Sequence, residues 1–165
     1  MLFGAALTLL TLAACGRSRE PERAPEPSPA ATGANAEPDM ATDLARATAV
    51  VRDYYAAIDA RRYRDAYVLW ASGGAASGKS FEAFRDGFTQ TDSVAVSFGA
   101  PGPIEGAAGS RYLDVPVEIA ALQTDGTRQR FAGTYTLRRS VVDGATPEQR
   151  SWRIHSAQIR RVTAR

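Results

Sequence analysis

Thiols, imidazoles and ammonium groups are scarce in this chain: its 165 residues hold one cysteine (Cys15), one histidine (His155) and one lysine (Lys79), beside nineteen arginines. A lone cysteine excludes an intrachain disulfide and any thiolate-paired zinc site. No second histidine and no ligand-spaced acids accompany His155, so neither a metal nor a cofactor is implied. The apolar run at residues 2–14 is too short to cross a bilayer. Net charge is only +2, which implies no nucleic-acid partner.

Charge is nonetheless uneven. Residues 128–165 carry nine arginines against Asp143 and Glu148. One reading is a basic face that meets anionic lipid head groups or an acidic partner. The reading these residues favour is arginine on the solvent side of strands, where its stem covers apolar surface and its charge discourages edge pairing.

At 165 residues and 44% hydrophobic content, the chain can bury the core of one domain. Leu44, Ala47, Val51, Tyr54, Tyr55 and Ile58 recur at helical spacing, and the ordered part is expected to begin near Asp39 or Thr42 as N-cap. After Arg61-Arg62 the pattern restarts at Tyr63, Ala66, Tyr67, Leu69 and Trp70, a second helix beyond a tight corner. Residues 72–78 read as a flexible connection, and Ser80 as the N-cap of a third helix carrying Phe81, Phe84 and Phe88. Ser77-Gly78-Lys79-Ser80 has some likeness to a phosphate-binding loop, but a helix and not a strand leads into it.

From Ser93 the period becomes two. Val94, Val96 and Phe98 mark a first strand; Leu113, Val115, Val117, Ile119 and Ala121 a second; Phe131, Gly133, Tyr135 and Leu137 a third; Trp152, Ile154 and Ile159 a fourth. Asp125-Gly126 predicts a hairpin with positive φ at both residues, residues 143–149 a polar loop, and the parity break before Ile159 a bulge near Ser156-Ala157. The expected class is α+β: three N-terminal helices in the concavity of a curved, mostly antiparallel four-stranded sheet.

Residues 2–14 have the shape of the apolar region of an export signal. Leu12-Ala13-Ala14-Cys15 resembles the lipobox of bacterial lipoproteins, whose cysteine is diacylated and becomes the mature N-terminus. No basic residue precedes the run, as expected if the true start lies upstream. Residues 1–14 are then a signal peptide, and residues 15–40, rich in Pro, Ala and Glu, a lipidated tether of about 30 Å to a domain at 41–165. The resemblance implies a lipid anchor on the periplasmic side of a bacterial membrane. Gly16, where an Asp would signal inner-membrane retention, favours the outer membrane.

Three helices followed by a four-strand meander, with Tyr-Tyr-x-Ala-Ile-Asp-x-x-Arg-Tyr-x-x-Ala-Tyr-x-Leu-Trp at residues 54–70, resemble the nuclear transport factor 2-like superfamily. The resemblance implies a sheet wrapped round the first helix as a cone, open or filled at its mouth, and sheet-to-sheet homodimers in some members. Related isomerases and dehydratases place Asp, Tyr or His inside the cone. Here the candidate base is His155, with Tyr55 or Tyr112, whereas Asp114 and Glu118 fall on the outward parity of their strand. Tyr54, Tyr55, Tyr67, Trp70, Phe84, Phe88, Tyr135 and Trp152 either line a pocket or fill the cone. The preferred expectation is a binding or interaction module for an envelope protein or a small apolar ligand. The alternative is a small isomerase- or dehydratase-like enzyme.

Overall fold

The structure, a computed structural model, describes residues 36–163. Cys15, the signal segment and residues 15–35 of the expected tether lie outside the described residues. Helix α1 (Ala36–Asp59) is 24 residues long and buries Ala47, Val51, Tyr54, Tyr55 and Ile58, the stripe expected from their spacing. It starts earlier than expected: Asp39 and Thr42 lie inside it, so neither is its N-cap. It ends in a Schellman motif, with Arg61 left-handed (φ 59°), the Arg62 amide donating to Ala57 O at 2.8 Å and the Arg61 amide to Ile58 O at 2.9 Å.

Helix α2 (Tyr63–Tyr67) is shorter than its apolar pattern, because the chain leaves it to bring Trp70 alongside the last strand. There the Ala71 amide donates to Ile154 O and the Ile154 amide to Leu69 O, both at 2.9 Å, so the segment covers part of a sheet edge. Residues 72–78 form hydrogen-bonded turns, where a flexible connection was expected: Gly74 N donates to Trp70 O, Ala76 N to Ala71 O and Gly78 N to Ala75 O. Gly74 (φ 107°) is required there, since a Cβ would lie 2.1 Å from the Tyr67 ring. Tyr67 then reaches over the loop to donate to Lys79 O at 2.8 Å. Ser80 caps α3 (Phe81–Asp86) as expected, its Oγ accepting from the Ala83 amide at 3.2 Å.

The sheet is antiparallel, in the order β1 (Thr91–Phe98), β3 (Ser110–Gln123), β4 (Arg128–Ser140), β5 (Arg153–Arg161), with the short β2 (Glu105–Ala107) also paired to β3. Five strands therefore replace the expected four. The residue pair Ala108-Gly109, both at positive φ, joins β2 to β3; with three residues and no alternation to show, β2 carries no periodic signal. The β3–β4 hairpin has positive φ only at Gly126, so its loop is a three-residue turn and not the two-residue type expected. Leu113, Val115, Val117 and Ile119 face the helices opposite Leu137, Tyr135, Gly133 and Phe131, with Asp114 and Glu118 outward as their parity requires.

A fourth helix, α4 (Pro147–Arg150), interrupts the polar loop; Thr146 and Gln149 close a capping box over Pro at its first turn. The expected bulge is present at His155: Thr136 pairs with Ser156 but Leu137 with Ile154, leaving the histidine as the extra residue. This shift returns Ala157 and Ile159 to the inner face beside Tyr135 and Gly133.

Candidate functional site

Helix α1, the end of α3 and the inner face of β1, β3, β4 and β5 enclose a half-open hollow of about 260 Å³ at the mouth of the cone. Tyr54, Tyr55 and Ile58 come from α1, and Phe88 follows α3. The sheet contributes Val94, Ile119, Phe131, Tyr135 and Ile159, with Thr91, Gln123 and Gln129 as polar members. Gln123 and Gln129 were missed in the sequence. Both continue the inward parity, Gln123 after Ala121 and Gln129 before Phe131, so extending period two to the strand ends finds them.

Apart from the side that faces the hollow, the tyrosines are held by ring packing. Tyr54 lies edge-on to Tyr55, Trp70 and Phe84 at 5.0, 6.1 and 6.2 Å between ring centroids, and 6.0 Å from Tyr135. The hydroxyls of Tyr55 and Tyr135 share a buried hydrogen bond of 2.7 Å across the cone. Burial, the largest effect in each case, raises the hydroxyl pKa of Tyr54, Tyr55 and Tyr135 well above the ordinary phenol value. All three are neutral at physiological pH and act as hydrogen-bond donors or acceptors, not as bases.

Of the aromatics considered from sequence, Tyr54, Tyr55, Phe88 and Tyr135 line the hollow. Trp70 and Phe84 lie behind Tyr54 in the core, and Tyr67 is occupied by Gly74 and Lys79. Trp152 is buried elsewhere, with Nε1 3.3 Å from Asp43 Oδ1. The alternative catalytic pairing, His155 with Tyr55 or Tyr112, is not found within the hollow, whose lining includes neither His155 nor Tyr112. His155 is an exposed bulge residue whose ring lies edge-on to Tyr112, 5.8 Å between centroids, while Tyr55 lies inside the cone. Asp114 accepts from Thr136 Oγ1 at 2.7 Å on the outer face, and Glu118 is exposed there. Among the described residues lining the hollow there is no carboxylate and no imidazole. A broader groove of about 390 Å³ crosses strands β1, β3 and β4, lined by Glu118 and Arg130 among alanines and the apolar Val96, Ile119, Phe131 and Val162. The cone mouth, where Tyr54, Tyr55, Phe88, Phe131 and Tyr135 converge, is the better ligand site.

No family model matches the chain, and no curated protein matches it. Solved structures do. A protein of Novosphingobium aromaticivorans provisionally named an aromatic ring hydroxylase is 12% identical with a TM-score of 0.54, over 75% of this chain and 92% of that one. A second from the same species, provisionally named a scytalone dehydratase, is 15% identical with a TM-score of 0.51, over 76% and 89%. The Kfla4162 protein of Kribbella flavida is 14% identical with a TM-score of 0.53, over 74% and 93%. At these identities the likeness shows the fold: a nuclear transport factor 2-like α+β cone, helices packed against a curved antiparallel sheet.

Proposed function

We propose that the chain is a lipid-anchored envelope protein whose cone mouth binds a small, mostly apolar ligand carrying a single aromatic ring and one or two polar substituents. The observation that carries this reading is the hollow of about 260 Å³, walled by Tyr54, Tyr55, Phe88, Phe131 and Tyr135 with no ionisable base beside them. A dry cavity of about 150 Å³ already holds benzene, so the volume suits a substituted ring. The aromatic walls supply edge-to-face contacts, and the tyrosine hydroxyls and the amides of Gln123 and Gln129 fix polar substituents. The Leu12-Ala13-Ala14-Cys15 sequence supports acylation of Cys15 and placement on the periplasmic side of a membrane, the outer one favoured by Gly16.

Calorimetric titration of single-ring phenols and aryl ketones tests the reading. Saturable binding to the parent chain, abolished when Ile119→Trp fills the hollow, is the expected result. A panel in which nothing binds would sink it.

An isomerase or dehydratase reading has one specific support, the Tyr55–Tyr135 hydroxyl pair at the wall, together with fold neighbours named for a hydroxylase and a dehydratase. Loss of water from a bound hydroxylated ligand, absent in Tyr135→Phe, would establish it over simple binding.

A further inference from the structure

A second hollow, of about 290 Å³, lies toward the other end of α1 and shares no residue with the cone mouth. Four segments build it: Asp43, Arg46 and Val50 from one face of α1, Arg139 from β4, Arg150 from α4, and Arg153 from the start of β5. Four guanidinium groups thus surround one carboxylate. Asp43 is already committed, since Oδ2 accepts from Arg139 and Oδ1 from Trp152 Nε1. Arg46, Arg150 and Arg153 make no ion pair among the described residues.

Two of the groups are held in place without being neutralised. Arg150 Nε donates to Ala145 O, and an Arg153 terminal nitrogen to Trp152 O, each at 3.0 Å. The Arg139 guanidinium lies 5.4 Å from the Trp152 ring centre. The Nε atoms of Arg139 and Arg153 are buried and donate to no acceptor among the described residues. Concentrating this much positive charge in a concave, partly desolvated space costs free energy unless an anion enters, and planar forks of N–H donors match tetrahedral oxyanions.

We infer that this arginine-walled hollow binds a phosphate group, carried either by a soluble phosphate or by an anionic phospholipid head group. Arg46, Arg150 and Arg153 supply the donors, and the Asp43–Arg139 pair orients the wall behind them. Another basic hollow, at Arg128, Arg130 and Arg161, has no such internal bracing among the described residues and serves as the control.

The test uses the full chain carrying Cys15→Ser, so that no acyl chain contributes. Inorganic phosphate is titrated calorimetrically at low ionic strength, and sedimentation is measured with phosphatidylglycerol and with phosphatidylcholine vesicles. Saturable phosphate binding is expected, weakened about tenfold or more by Arg150→Gln with Arg153→Gln and within about twofold of the parent in Arg128→Gln with Arg130→Gln. Circular dichroism and melting check that the variants fold. Arg46→Glu, on an exposed helical position, gives an independent arm with the same expected loss. Phosphate binding with sedimentation only on phosphatidylglycerol, sensitive to the same substitutions, assigns the phosphate to a lipid. Phosphate binding without sedimentation assigns it to a soluble ligand. Failure to bind phosphate saturably, whatever the vesicles do, overturns the inference. So does an equal loss in the control pair.

Discussion

Tyr135 joins packing to polarity more closely than any other residue of the cone mouth. Its ring fills the space between Tyr54, Tyr55 and Trp70, and its hydroxyl meets that of Tyr55 at 2.7 Å. Tyr135→Phe keeps the ring and strands one buried hydroxyl, so it is expected to cost about 1–2 kcal/mol in chemical denaturation. The pH dependence has a definite sign. Folded Tyr54, Tyr55 and Tyr135 hold their protons above the unfolded value of 10.0. Their contribution is fully present below pH 10 and is lost as pH rises beyond it, where the unfolded chain ionises first. Denaturation midpoints should be flat in this respect from neutrality to about pH 9 and fall above pH 10, less steeply in Tyr135→Phe. A midpoint that rises above pH 10 would contradict the buried, protonated assignment. At this scale the aromatic candidates were legible in the sequence, because burial follows residue type. Which of them face the hollow was not, because Trp70, Phe84 and Tyr54 share one packed cluster and only its geometry separates wall from core.

Among the elements, β4 depends on one small residue. Gly133 faces Val117 and Ile159 in register, and a Cβ there would lie 1.9 Å from Gln158 O. Gly133→Ala therefore forces β4 and β5 apart and should destabilise the chain by about 1–3 kcal/mol, read as a lower denaturation midpoint. A neutral result would mean that the two strands do not approach so closely. Asp43 acts across elements, tying α1 to Arg139 of β4 and to Trp152 before β5. Both charged partners are only partly buried, with side chains 19% and 24% exposed, so Asp43→Asn is expected to cost about 1–2 kcal/mol, checked by thermal or chemical unfolding. The α1 stripe and the β3 alternation were readable because each has a long periodic pattern. The three residues of β2 and the single turn of α4 offer no period, and the ordering of residues 72–78 depends on Tyr67, which is supplied by another element.

On the scale of the molecule, α1 carries both candidate sites. Asp43 and Tyr55 are twelve positions apart, about 18 Å along the axis, with the arginine-walled hollow at one end and the tyrosine-walled hollow at the other. If Cys15 is acylated, Cys15→Ser shifts the protein from membrane to soluble fractions on cell fractionation, and unchanged membrane association would refute the anchor. Among the described residues no helix is long and apolar enough to cross a membrane. From its own order of residues, the chain determines the alternation of inward and outward side chains, the outward placement of Asp114 and Glu118, and the change from helical to strand period, because each of these is set by neighbours a few positions away. Tertiary structure alone decided which residue of the expected bulge is the extra one, His155, that two tyrosine hydroxyls eighty positions apart meet, and that arginines from four segments share one hollow. Such encounters are set by strand register and by how the sheet closes on the helix, and no local pattern encodes either.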